Sequence, residues 1–160
     1  MAIRNIRVDD DPILKKKSRP VEVFDERLGI LLDDMKDTLY KAEGCGIAAV
    51  QVGVLKRVVL VDVGDGLLEL INPEIIEAEG EQYEVEGCLS LPGKSGVTKR
   101  PSMVKVKAQN REGKWCHYKG EGLKARAFCH EIDHLDGHLY TERLAPQEVI
   151  DRIKKENELD

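Results

Sequence analysis

Apolar residues recur along this chain at different periods, and each period predicts a different element. Leu28, Leu31, Leu32, Met35 and Leu39 return at intervals of three and four, the stripe of an amphipathic helix that begins after Asp25 and is ended by Gly44. Residues 57–63 form a valine-rich run that reads as a buried strand. After the Gly64-Asp65-Gly66 turn a second strand is expected over 67–71, stopping at Asn72-Pro73. Further strands are expected over 75–79, 82–86, 103–108 and 115–118, the last two joined by a turn at 110–113. Helical spacing then returns in Leu123, Ala127, His130, Glu131 and His134, where Ala125 and Ala127 favour helix and Gly137 supplies a stop. From 146 to about 159, Val149, Ile150 and Ile153 stand at helical spacing among many charges, which predicts a surface helix.

Strands in hairpins followed by a late helix indicate an α+β fold, not the alternation of a doubly wound sheet. The chain has 160 residues, enough for one domain over 1–160 that buries roughly 70% of its unfolded surface. Only Trp115 and two phenylalanines are present beside four tyrosines, so Val, Ile and Leu must build most of the core. A formal charge of −5 argues against a broad grip on DNA or RNA, and the densest basic run, Lys15, Lys16, Lys17 and Arg19, reads as a solvated loop. No apolar run approaches a membrane span, and the start Met-Ala-Ile-Arg lacks the basic and apolar parts of a signal peptide. The expected location is therefore the cytoplasm. The four cysteines, Cys45, Cys88, Cys116 and Cys129, show no CxxC spacing; in the cytosol they should be thiols, one of them bound to metal.

The chemistry concentrates in His130-Glu131-Ile132-Asp133-His134. On a helix this puts two imidazoles one turn apart with a carboxylate beside the first, an arrangement that holds a divalent ion and a base for its water. A catalytic ion usually takes three protein ligands and keeps one position open. Downstream, position 140 is Tyr140 and not a third histidine, while His138 lies past Gly137, where helical spacing no longer fixes its direction. Cys88, in Glu86-Gly87-Cys88-Leu89-Ser90, is the better third ligand and would complete a site of two nitrogens and one sulfur. Glu131 lies too far round the helix to join them and is placed to act as general base and then acid. A third segment, Gly44-Cys45-Gly46-Ile47-Ala48-Ala49-Val50-Gln51, is small and apolar until it ends in an amide, as a narrow pocket wall with one directed donor would be.

Taken together, the ordered set GxGxAAxQ, EGCxS and HExxH resembles the peptide deformylases. The likeness spans nearly the whole chain, including Asp11-Pro12-Ile13-Leu14 and Arg19-Pro20-Val21 near its start. Two departures are visible: Ile47 stands where leucine is common and Cys129 where glutamine is common, which bears on substrate fit and redox sensitivity. The resemblance implies antiparallel β-sheets packed around a central helix carrying HExxH, with the surface helix at the carboxy terminus. It implies hydrolysis of the formamide on the amino-terminal formylmethionine of nascent polypeptides, with release of formate. The metal would be held by Cys88, His130 and His134, and Glu131 would serve as the base. Gln51 and the backbone N–H of Leu89 would hold the oxyanion. Gly44, Cys45, Gly46, Glu86, Gly87, Leu123 and Ala127 are expected against the substrate, with Phe128 a further wall. Asp133 is expected to order the site through Arg100 or Arg126, with Glu86 closing that network or holding the Cys88 loop. The implied ion is Fe²⁺, one per chain, with Zn²⁺, Ni²⁺ or Co²⁺ able to substitute. A monomer in transient contact with the ribosome is expected, with neither DNA nor membrane as partner. Two other readings differ in their chemistry: a metallopeptidase would use a downstream third ligand and keep its metal without Cys88, and a metal-binding module would not need Glu131.

Overall fold

A computed structural model describes residues 2–159, with side chains as far as 156. The first long helix, α1 (Glu26–Lys41), is opened by Asp25, whose carboxylate accepts from the Leu28 N–H at 3.2 Å. It is followed by the short strand β1 (Gly46–Ala48) and a 3₁₀ turn (Ala49–Val52) that places Gln51. The remaining strands are β2 (Val58–Val61), β3 (Leu68–Glu79), β4 (Gln82–Cys88), β5 (Leu91–Arg100), β6 (Met103–Gln109) and β7 (Trp115–Glu121). Helix α2 (Leu123–Leu135) carries the two histidines, and α3 (Gln147–Leu159) ends the described chain.

Five strands form an antiparallel sheet in the order β1-β2-β3-β6-β7, and β4 and β5 form a separate two-stranded sheet. Both faces of the larger sheet are covered at β2. All four residues of β2 are buried because alternate side chains meet different helices: Val58 and Leu60 join the α1 stripe, while Val59 and Val61 join Ala125, Phe128, Ile132 and Leu135 of α2. The helix bearing the histidines is thus seated in the larger core, and Gly137, at φ 79°, ends that element just after its Asp136 cap. A Cβ at Gly137 would strike the Lys15 backbone.

Three elements differ from the expectation. The two strands expected over 67–71 and 75–79 are joined in one, β3, because a register shift between Ile71 and Glu74 absorbs the proline's missing donor. Asn72 takes φ 52° and exchanges hydrogen bonds with the Val21 backbone at 2.8 and 2.9 Å, which fixes the bend. Strand β5 was not expected; its sequence, LPGKSGVTKR, holds a proline, two glycines and no clean alternation. Gln51 lies in a 3₁₀ turn and not at a strand end. No helix of the described residues is long and apolar enough to cross a membrane.

Candidate metal centre

The donor atoms of Cys88, His130 and His134 all lie within 4.8 Å of one another. His130 and His134 reach this point from successive turns of α2, with their Nε2 atoms 3.2 Å apart. Cys88 arrives from the smaller sheet, its Sγ 3.3 Å from His134 Nε2. A register shift between Gly87 and Cys88 turns the end of β4 toward α2. The Nδ1 of His130 is engaged by the Glu86 carboxylate, which leaves Nε2 turned toward the cluster. Donors surrounding one tetrahedral ion at about 2.0–2.3 Å stand roughly 3.3–3.7 Å from each other, so the spacing and the N₂S donor set both suit a borderline-soft dication. His138 does not join them; it faces Glu142 at 3.3 Å on a half-exposed surface.

Glu86 belongs to a buried charge network. Thr98 donates to its carboxylate at 2.6 Å, Arg100 donates at 2.7 and 3.3 Å, and Arg100 also reaches Asp133 at 2.6 Å. Arg143 completes the set on Asp133 at 3.1 and 3.2 Å. Asp133 therefore pairs with Arg100 and not with Arg126. Burial opposes ionisation of Glu86, but His130 and Arg100 outweigh it and hold the carboxyl down at about 2. Burial also opposes protonation of His130, yet Glu131, Cys88 and Glu86 together raise its pKa well above the usual value. His134 is pushed the other way, first by burial and then by the charge of His130, which favours the neutral imidazole that ligation needs.

Glu131 lies in the same cleft, 5% exposed, with Oε1 unpaired and Oε2 4.0 Å from His130 Nε2. Burial raises its pKa to about 7, against the pull of the His130 charge. Gly46 makes room for it, since a Cβ there would come within 2.7 Å of Glu131 Cγ and Oε2. Gln51 is fixed from both ends of its amide. Its Oε1 accepts from Ala48 N–H at 2.9 Å, and its Nε2 donates to Ser90 Oγ at 3.0 Å and faces Cys88 Sγ at 3.7 Å. Leu89 follows Cys88 at the turn into β5 and also lines the cleft.

The cleft has a volume of about 360 Å³. Gly44, Cys45, Gly46, Glu86, Gly87, Leu123 and Ala127 all line it. Phe128 does not; it is fully buried beneath α2, against Gly120. Val85 and Arg126 are walls that sequence reasoning missed, as are the supporting groups Ser90, Thr98 and Tyr140, whose ring stacks on His130 at 6.2 Å. Ser90 lies inside the EGCLS segment and was within reach of that motif. Cys129, the departure beside His130, is buried, and desolvation pushes its thiol up to about 11, so it is a poor target for oxidation.

Comparison with known proteins gives a consistent result. The sequence model of the polypeptide deformylase family matches residues 3–149. A peptide deformylase of Alkaliphilus metalliredigens is 59% identical over 144 residues, covering 90% of this chain and 98% of the relative. Another from Acetivibrio thermocellus is 61% identical, covering 90% of this chain and 85% of the relative. The crystal structure of the peptide deformylase from Thermotoga maritima superposes with a TM-score of 0.89 at 41% identity, covering 91% of this chain and all of that one (100%).

Proposed function

The chain belongs to the polypeptide deformylase family, and on that premise we propose how its own residues carry the reaction. The protein hydrolyses the formamide at the amino terminus of nascent N-formylmethionyl peptides: water is consumed, the C–N bond breaks, and formate and a free amine leave. The observation that supports the site assignment is the convergence of Cys88 Sγ with the Nε2 atoms of His130 and His134, beside an unpaired Glu131 carboxylate in one cleft.

Cys88, His130 and His134 would hold a divalent ion. When bound, it supplies Lewis acidity that makes water a nucleophile near neutral pH and polarises the formyl carbonyl. Glu131 removes a proton from the attacking water and passes it to the leaving nitrogen, a role that its unpaired carboxylate oxygen in the cleft suits. As the formyl oxygen gains charge, the Gln51 Nε2–H and the Leu89 backbone N–H donate to it; one such donor is typically worth about 2.7–4 kcal/mol in the transition state. Ser90 and Ala48 hold the Gln51 amide ready, so little reorganisation is required. Glu86 orients His130, and Gly44, Cys45, Gly46, Gly87, Leu123 and Ala127 enclose the methionine side chain and its backbone.

Within this reading the ion is Fe²⁺, with Zn²⁺, Ni²⁺ or Co²⁺ as substitutes. The enzyme works as a cytoplasmic monomer in transient contact with the ribosome, where formylated chains emerge. Residues 1–160 act as one domain, although Met1 and Asp160 lie outside the described residues. The test is formate release from formyl-Met-Ala-Ser by anaerobically purified protein, with the Glu131→Gln variant and a metal assay of both. Formate from the wild type and an inactive, metal-loaded variant are expected. A ferrous-loaded, folded wild type that releases none would overturn the assignment.

A further inference from the structure

One charged side chain in the cleft has no part in the reaction above. Arg126 sits on α2 one turn before His130, and among the described residues it is the only Lys or Arg lining the cleft. Other arginines near the core are matched by acids: Arg100 by Glu86 and Asp133, Arg111 by Glu69 and Asp33, and Arg57 by Asp136. Arg126 makes no ion pair among the described residues, and Asp133, its expected partner, is taken by Arg100 and Arg143. Its side chain makes one hydrogen bond, from Nη1 to the Val85 carbonyl at 3.3 Å, while its Nε is buried without a partner. A guanidinium fork is therefore held across the cleft between α2 and β4 with donors to spare.

We propose that Arg126 is a specificity residue that selects an acidic side chain at the third position of the formylated peptide, an inference that rests on the deformylase reading. The position follows from the direction of the cleft. The formyl group must lie at the Cys88 and His130 end, and from there the lining runs along α2 past Arg126 to Leu123 and back along β4 to Val85. An extended peptide sends alternate side chains to opposite sides, so its third residue faces the same wall as the methionine, roughly 6.5 Å further along. His130 and Arg126 are one turn apart, about 6 Å along α2. The Arg126 methylenes can then flank the methionine while the guanidinium stands beside the third side chain. A carboxylate there offers two acceptors to the fork. The chain as a whole carries −5, which repels acidic peptides at long range, so any preference for them must come from a local cation.

The experiment compares kcat/KM of the metal-loaded enzyme for formyl-Met-Ala-Glu, formyl-Met-Ala-Gln and formyl-Met-Ala-Lys, all amidated so that no terminal carboxylate interferes. The same series is run with Arg126→Gln and Arg126→Lys. The Glu-to-Lys ratio is read within each protein, which cancels any general loss of activity. The wild type should prefer Glu over Lys by about threefold to tenfold at low salt, the scale of a solvent-accessible ion pair counted as attraction to one peptide and repulsion of the other. The ratio should shrink as salt is added. Arg126→Lys should keep part of it, and Arg126→Gln should abolish or invert it. A wild type without preference, or an Arg126→Gln variant with the wild-type ratio, overturns the inference while continued hydrolysis of the Gln peptide leaves the deformylase reading standing. Failure to hydrolyse any of the three overturns both.

Discussion

Two helices of thirteen residues, α2 and α3, make opposite use of the same length. In α2, nine residues are buried, and they include His130, Glu131 and His134. In α3, no residue through 156 is buried, and Val149, Ile150 and Ile153 are only half covered. The difference lies in what each helix meets. The apolar side of α2 is enclosed by Val59, Val61, Leu70, Val104 and Val106 of the larger sheet. Its polar side is enclosed by the β4–β5 sheet, which brings Glu86, Thr98 and Arg100 to the histidines. Burying imidazoles and a carboxylate is costly unless each finds a partner, and here the second sheet supplies those partners for His130. Among its described side chains, through 156, helix α3 buries none and keeps its charges exposed.

The largest test of this contrast is Glu131→Gln. A positioned acid–base residue contributes about 10²–10⁴-fold, so formate release should fall by that factor while bound metal and melting temperature are kept. Loss of metal in this variant would mean that Glu131 belongs to the ligand set and not to the chemistry. Next comes Phe128→Ala, in the same helix but packed into the larger core. Phe128 is fully buried, and such truncations cost about 3–5 kcal/mol, measurable as a lowered urea midpoint. Stability unchanged within error would show that α2 is not held by the sheet beneath it.

How much of this was legible before the structure depends on whether the signal was local. The α1 stripe, the buried run of β2 and the spacing of α2 are each set by neighbours in sequence, and the helix ends at Asp25 and Gly137 carry their own capping chemistry. The site residues could be nominated because EGCLS and HEIDH are compact segments. Strand β5 and the joining of 67–71 to 75–79 across Asn72-Pro73 were not legible, because Pro73, Pro92, Gly93 and Gly96 mask the period that pairing with a partner strand restores. Nor could sequence rank Arg100 against Arg126 as the partner of Asp133. Both lie at a plausible distance along the chain, and only the approach of β5 to α2 decides it.

A smaller effect should separate the two sides of α2. Glu86→Gln removes the charge that orients His130 but keeps the shape and a hydrogen-bonding amide. Loss of such a partner typically costs 10- to 100-fold in metal affinity, so the variant should release its ion that much more readily to a chelator. Its thermal stability should fall less than that of Phe128→Ala, because the site and the core are carried by different layers. Equal losses in both quantities would mean that the β4–β5 sheet holds the helix as well as the metal ligands.

The smallest effect is expected in α3. The family match ends at residue 149, three residues into this helix, and no residue of α3 through 156 is buried. Ile153 is half-buried, and replacing it with Ala removes apolar area without leaving a closed cavity. The stability change should therefore stay within about 1 kcal/mol, below the range for a buried Ile→Ala. Its kcat/KM for formyl-Met-Ala-Ser should match the wild type, since no described residue of α3 lines the cleft. Metal affinity should also be unchanged, as the charge network ends at Arg143, before α3 begins. A large loss in Ile153→Ala would instead make the covered side of α3 part of the core and bring the two helices closer in kind than their burial implies.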